Sequence, residues 1–116
     1  MDAMAITAPV IPEKLEEWKE FGRDLSGGPH HSDFTAFMKK CGVSRIRCWL
    51  QEGPEGPVGI ILYEGETPTE FTIQIGSSQE SFAVWFRERI KEYNGMDLAE
   101  PLAGPPPELL TDAQVN

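Results

Sequence analysis

Residues 44–66 read SRIRCWLQEGPEGPVGIILYEGE. The first half of this stretch alternates: Ile46, Cys48 and Leu50 share one face, and the other face carries Arg45, Arg47, Trp49 and Gln51. This period of two predicts a half-buried β-strand. A short Gly/Pro turn, GPEGP, then leads into a second apolar run over residues 58–64. Two such runs around a short turn predict an antiparallel hairpin.

The register of this hairpin follows from where the carboxylate of Glu64 can lie. If facing residues have numbers that sum to about 109, Arg45 opposes Glu64 and Trp49 opposes Ile60. If the sum is about 110, Arg47 opposes Tyr63 and Glu64 falls beside Ile46, where burial of a carboxylate is costly. We therefore expect the register with the sum of 109, unless a bulge near Gly65 rescues the other.

Helical spacing marks the segments on either side of the hairpin. Residues 3–10 suit a first strand, and Pro12 suits the first turn of a helix that Gly27 and Gly28 end. A second helix is expected from an N-cap at Ser32 to Gly42. The last helix is expected from a capping box formed by Ser77 and Glu80 to Gly95.

Three segments are less clearly patterned. Residues 67–76 alternate like a strand, but Thr67 followed by Pro68 is a helix-start signal, and we favour a short helix there. Residues 96–102 suit a short fourth strand. We expect one domain over residues 1–102 and a proline-rich C-terminal tail over residues 103–116 that is too polar to build a core.

The charge and hydrophobicity of the chain exclude some classes of binding partner. The 116-residue chain has a net charge of −9, which repels phosphate backbones and anionic membrane surfaces, so we expect neither nucleic acid nor membrane as a partner. No apolar run approaches the length of a membrane span, and the N-terminus lacks the pattern of a signal peptide. Cys41 and Cys48 do not form a metal-type spacing, and we expect them to be free thiols of a cytoplasmic protein.

The predicted order of strand, helices, hairpin, helix and weak strand is that of an α+β, ferredoxin-like βαββαβ unit, an antiparallel sheet with helices on one face. From about Ala5 to Leu102 the chain resembles the dimeric α/β-barrel superfamily, which includes antibiotic-biosynthesis monooxygenases and EthD-like proteins. Within that superfamily it is similar to a small, largely uncharacterised family. The resemblance rests on the pieces PVIPEKLEEWKEF (9–21), GVSRIRCWLQ (42–51), GPVGIILYEGE (56–66) and FAVWFRERIKEYNGMDL (82–98).

The resemblance implies a homodimer in which the helix-free faces of two sheets meet. The face of Arg45, Arg47 and Trp49 would then point into the dimer. A one-sided sheet that also presents Ile61 and Tyr63 would expose a large apolar patch on a monomer, which soluble monomers rarely tolerate. We therefore expect a homodimer that buries this face.

Few residues indicate a metal-binding, phosphate-binding or catalytic site. The cluster of His30, His31 and Asp33 has no metal-ligand spacing, and we expect no metal and no cofactor. The turn GPEGP cannot cradle a phosphate because its prolines lack N–H donors, and no serine stands in a nucleophile elbow. The catalytic residues, if there are any, stay unknown. Arg47 is the charged residue with the best case for a function, although the five glutamates of residues 52–70 favour a structural ion pair at an interface instead.

A ligand pocket, if present, is expected between the sheet and the helices. Its walls would be aromatic and its mouth would carry a few polar groups, which suits a hydrophobic aromatic molecule. The alternative is that these rings interlock and leave no room. The wall residues would be Trp18, Phe34, Phe37, Phe82, Trp85 and Phe86, and the polar groups at the mouth would be His31, Tyr63 and Arg87 or Arg89. Arg47 and Trp49, on the other face of the sheet, are further candidates for ligand binding.

Three functions stay open at this point. The first is a non-catalytic dimer that binds a small molecule. The second is a cofactor-independent enzyme of the monooxygenase or isomerase type that acts on a hydrophobic aromatic substrate. The third is a structural module that binds a protein partner through its acidic surface and its tail. The fold cannot choose among them, because one scaffold hosts many functions.

Overall fold

Three strands form one antiparallel sheet in the order β1–β3–β2 in the computed structural model, which describes residues 2–100, 105 and 107–115. The elements in chain order are β1 (Asp2–Pro9), a 3-10 turn (Pro12–Lys14), α1 (Leu15–Gly27), α2 (His31–Lys40), β2 (Val43–Gly53), β3 (Gly56–Gly65), α3 (Thr69–Ser77) and α4 (Ser81–Asn94). The helices α1 and α2 connect β1 to β2, and β3 lies between these two strands. This α+β arrangement is a split βαβ unit.

The hairpin has the predicted register. Arg45 faces Glu64 and Trp49 faces Ile60, so the number sum is 109 over most of the hairpin. A bulge shifts the register between Val43 and Arg45, at the end of the hairpin near Gly65. Residues 67–76, which allowed either a helix or a strand, are mostly helical: α3 covers Thr69–Ser77.

Two predicted helix caps are wrong. Ser32 lies inside α2, whose N-cap residue is His30, and Asp24 accepts the hydrogen bond of the His30 backbone N–H at 2.7 Å. Ser77 is the last residue of α3 and its hydroxyl donates to the carbonyl of Ile73. The hydroxyl that accepts from the Glu80 N–H belongs to Ser78 instead.

The predicted fourth strand does not form in the part of 96–102 that the structure describes. Residues 96–100 form a turn held by the carboxylate of Asp97, which accepts from the N–H of Ala99 at 3.0 Å. Residues 101 and 102 lie outside the described residues. In the tail, residues 105 and 107–115 are neither helix nor strand, and Leu109, Leu110 and Val115 are exposed.

The core lies between the sheet and the helices. Phe71 and Ile75 of α3 are 1% exposed and occupy its centre, where aromatic rings of α2 and α4 surround them. The sheet contributes every second residue of each strand to this layer, so its opposite face has no helix over it. The residues that join the core from the sheet are Met4, Ile6, Val43, Ile46, Ile61 and Tyr63.

Gly42 follows the end of α2 and has the left-handed conformation, with φ of 75°. A methyl group there would be strained and would press against the Thr67 hydroxyl, so we expect Gly42→Ala to lower the free energy of unfolding by at least about 1–2 kcal/mol. The control is Gly22→Ala in α1, where the space is open and helix propensity predicts a gain of about 0.5–1 kcal/mol. Urea denaturation of both variants measures the difference; equal effects would contradict the prediction.

Candidate functional site

The face of the sheet that points away from the helices carries side chains that do not join the core, and we call it the outer face. Cross-strand pairs arrange it in four rows, each with one residue from β2, β3 and β1. The rows are Arg45–Glu64–Ala3, Arg47–Leu62–Ala5, Trp49–Ile60–Thr7 and Gln51–Val58–Pro9. The strand β3 therefore gives the face an apolar centre, and β2 gives it a polar and aromatic edge.

The centre of the outer face is open to solvent. Ile60 and Leu62 are only half-buried, and the indole of Trp49 is 47% exposed. None of these residues belongs to the core between sheet and helices. Large apolar patches on protein surfaces often mark interaction sites, and on this face Trp49 supplies the exposed apolar side chain beside the half-buried Ile60 and Leu62.

Arg47 is held in place above this apolar centre. Its Nη2 donates to Oε1 of Glu64 at 2.9 Å, and its guanidinium carbon lies 5.4 Å from the centroid of the Trp49 ring. The Nε of Arg47 is buried and has no acceptor among the described residues. Arg45, next along the same edge, is exposed and makes no ion pair within the part of the chain that the structure describes.

Tyr63 and Ile61 do not share this face, and the prediction that grouped them with Trp49 is wrong. The alternation that places Trp49, Ile60 and Leu62 outside places Ile61 and Tyr63 against the helices. Tyr63 is buried, and its ring contacts Phe71 with centroids 5.6 Å apart. It therefore belongs to the core of the molecule.

The other aromatic candidates, apart from Trp85, fill the layer between the sheet and the helices. Phe37 and Phe34 contact Phe82, with ring centroids 5.9 and 6.1 Å apart, and Phe86 lies 5.9 Å from Phe71. The indole of Trp18 packs directly over Gly59 of β3, so a methyl group added at Gly59 would collide with it. Close ring contacts thus occupy the region where a pocket was expected.

The polar candidates are also occupied. Arg87 donates to the carbonyl oxygens of Ile75 and Ser78 at 2.8 and 2.7 Å, so it closes the turn between α3 and α4. His31 is exposed, and its Nδ1 lies 2.8 Å from the carbonyl oxygen of Leu25. Arg89 pairs with Glu92 on the surface of α4 at 3.3 Å. Of the sequence-predicted residues, only Arg47 and Trp49 come together at an exposed surface.

The sequence interpretation missed one polar cluster. Nδ1 of His30 lies 2.6 Å from Oδ2 of Asp24, and the imidazole stacks on the indole of Trp85 with centroids 3.8 Å apart. Beside this cluster, α1 and α4 border an open cleft of about 540 Å³, which we call the α1–α4 cleft. Its lining combines aromatic rings and carboxylates: Phe21, Trp85, Tyr93, Glu16, Glu17, Glu20, Asp24 and Pro29. A separation of six residues between Asp24 and His30, across Gly27 and Gly28, is no recognisable motif.

The described residues contain no group of three histidine, cysteine, aspartate or glutamate side chains that could hold a metal ion. Over residues 2–100, 105 and 107–115, no helix has the length and apolarity to cross a membrane. Burial raises the pKa of the Cys41 thiol.

Comparison with known proteins adds no relative. No protein-family model matches the chain, and no significant match was found among curated proteins or among solved structures. The geometry of the outer face and of the α1–α4 cleft therefore has to carry the functional argument.

The burial of Tyr63 predicts alkaline sensitivity. Loss of hydration raises the pKa of Tyr63 far above the usual value of about 10. The unfolded chain releases this proton at a lower pH than the folded chain, so the stability linked to Tyr63 is complete below about pH 10 and is lost as the pH rises. We expect Tyr63→Phe to unfold at a higher pH than the wild type in a circular-dichroism titration. Superimposable titration curves would contradict this expectation.

Proposed function

We propose that the protein is a homodimeric binding protein in which the outer faces of two copies pack against each other, as in a dimeric α/β barrel. The observation that carries the proposal is the apolar centre of the outer face, with Ile60 and Leu62 half-buried and Trp49 47% exposed. Burial of such side chains on association is worth roughly 25 cal/mol for each Å² removed from water.

The size of the face suits a small interface. Three strands spaced about 4.8 Å apart, with about 3.3 Å per residue, cover roughly 400 Å² in projection. This projection is about half of the roughly 800 Å² that each partner buries in a standard complex, and side chains of unequal length add accessible area to it. Two sheets packed face to face lie about 10 Å apart, a distance that interdigitating side chains fill.

The composition of the face suits a protein interface better than a water-exposed surface. Arginine and tryptophan are the residues that most often dominate binding energy, and here Arg47 lies over Trp49. The ion pair between Arg47 of β2 and Glu64 of β3 neutralises the guanidinium within the face. The remaining cation, Arg45, lies at its edge, where a charge keeps access to water.

The binding function that we propose for the dimer is the uptake of a hydrophobic small molecule in the α1–α4 cleft. The cleft is open and has a volume of about 540 Å³. The rings of Phe21, Trp85 and Tyr93 line it together with carboxylates of α1, and aromatic rings with a few polar groups are a common lining of small-molecule sites. The enzyme alternative, a cofactor-independent reaction on an aromatic substrate, would draw its proton-transfer group from the pair of Asp24 and His30 beside the cleft.

Native mass spectrometry tests the dimer, and tryptophan fluorescence tests the ligand site. We expect a dimer of twice the 12.9 kDa chain mass, and we expect hydrophobic aromatic ligands to quench tryptophan fluorescence in the wild type but less in Trp85→Phe. The control is Trp49→Phe, which changes an indole outside the cleft. A monomer would refute the dimer, and equal quenching in both variants would refute the α1–α4 cleft as the ligand site.

A further inference from the structure

The side chains of the outer face differ in length from one edge of the sheet to the other, and we call this difference in height the relief of the face. Its β2 edge carries long side chains, and its β1 edge carries alanine and threonine in the same rows. In the row of Trp49 the opposite edge is Thr7, and in the row of Arg47 it is Ala5. The face is therefore high along β2, intermediate along β3 and low along β1.

This relief restricts how two identical faces can fit. A two-fold axis that relates two sheets packed face to face has to lie in the plane between them, because it must turn one face toward the other. An axis perpendicular to the strands sets β2 over β2 and β1 over β1, so the high edges collide and the low edges leave a gap. An axis parallel to β3 sets each high edge over the low edge of the other copy.

We propose that two copies pair about a two-fold axis parallel to β3, so that β2 of each copy lies over β1 of its partner; this inference rests on the proposed homodimer. Trp49 of one copy then covers Thr7 and Ala5 of the partner subunit. The large ring enters the depression that the small side chains leave, which is the arrangement of a well-packed interface centre.

The charges of the first row support the same axis. Arg45 has no ion-pair partner within its own described chain, and Oε2 of Glu64 accepts no hydrogen bond there, since Arg47 binds Oε1. A two-fold axis along β3 keeps the rows aligned, so Arg45 lies over the row that contains Glu64 of the partner subunit. Each Glu64 then binds its own Arg47 through one oxygen and the partner's Arg45 through the other. The perpendicular axis reverses the rows and takes Arg45 to the opposite end of the face, beside Gln51.

Cysteine crosslinking distinguishes the two axes. In a Cys48→Ser background, which removes the exposed thiol, we would mix ¹⁵N-labelled Ala3→Cys protein with unlabelled Arg45→Cys protein and add a short bismaleimide. The axis along β3 places these two positions over each other, so we expect several-fold more crosslinked mixed dimer than from Ala3→Cys mixed with Pro9→Cys. Peptide mass spectrometry identifies the labelled and unlabelled partners.

Each outcome decides one part of the inference. Preferential crosslinking of Ala3→Cys to Pro9→Cys would overturn the axis along β3 and leave the homodimer in place, because the perpendicular axis brings those two ends of β1 together. A dimer by light scattering in which neither mixture crosslinks would show that another face is used and would overturn the inference. A monomer by light scattering would overturn the proposed homodimer, and the axis with it.

Discussion

Replacing Ile60 by glutamate is expected to convert the dimer into a monomer. Ile60 lies in the central strand of the outer face, between Trp49 and Thr7, so the new carboxylate would be desolvated at the middle of the interface. Central interface positions typically cost about 2–4 kcal/mol when disrupted, which weakens the dissociation constant by roughly 30-fold to 1,000-fold. In the monomer the same side chain points to solvent, so we expect the fold to persist.

The matched control is Ile73→Glu. Ile73 is 60% exposed on α3, away from the outer face, and the substitution is chemically identical. Sedimentation velocity should show a monomer for Ile60→Glu and a dimer for Ile73→Glu at the same concentration, with native circular-dichroism spectra for both. A dimeric Ile60→Glu protein would contradict the assignment of the outer face as the interface.

Removing the ring of Phe71 is expected to be the most damaging single change to the fold. Phe71 is 1% exposed and contacts Phe34, Phe37, Tyr63 and Phe86, with centroids 5.6 to 6.0 Å away. Phe71→Ala would leave a cavity among these rings at a cost of about 3–5 kcal/mol. Because small domains have a total stability of about 5–15 kcal/mol, the variant should be close to unfolding.

Urea denaturation of Phe71→Ala and of Leu110→Ala makes this comparison quantitative. Leu110 is 84% exposed in the tail, so its truncation should leave the free energy of unfolding unchanged within about 0.5 kcal/mol. A loss below about 1 kcal/mol for Phe71→Ala would show that the ring cluster does not form the centre of the core.

Local patterns were sufficient to predict the hairpin. The period of two in residues 45–51 separates Arg47 and Trp49 from Ile46 and Cys48, and the cost of burying Glu64 selects the register. Both are properties of neighbours in sequence or of the directly opposing strand. The prediction that placed Tyr63 and Ile61 on the face of Trp49 ignored this alternation. Ile61 and Tyr63 each follow Ile60 or Leu62 by one position, so they lie on the opposite face of β3.

The parts that the sequence did not reveal depend on contacts between distant residues. The start of α2 depends on the carboxylate of Asp24, which reaches back from α1 to the N–H of His30, and this replaced the expected cap at Ser32. The stacking of His30 on Trp85 joins residues that are 55 positions apart in sequence, and no local spacing predicts it. Likewise, the patterning of residues 96–100 did not show that Asp97 holds a turn there.

The molar mass of the purified protein in solution tests the proposed homodimer. Light scattering at micromolar concentration should give twice the chain mass of 12.9 kDa for the wild type, with a decrease toward the chain mass on dilution. A mass of 12.9 kDa throughout the concentration range would contradict the account, because the apolar centre of the outer face would then be exposed to water without a second copy to cover it.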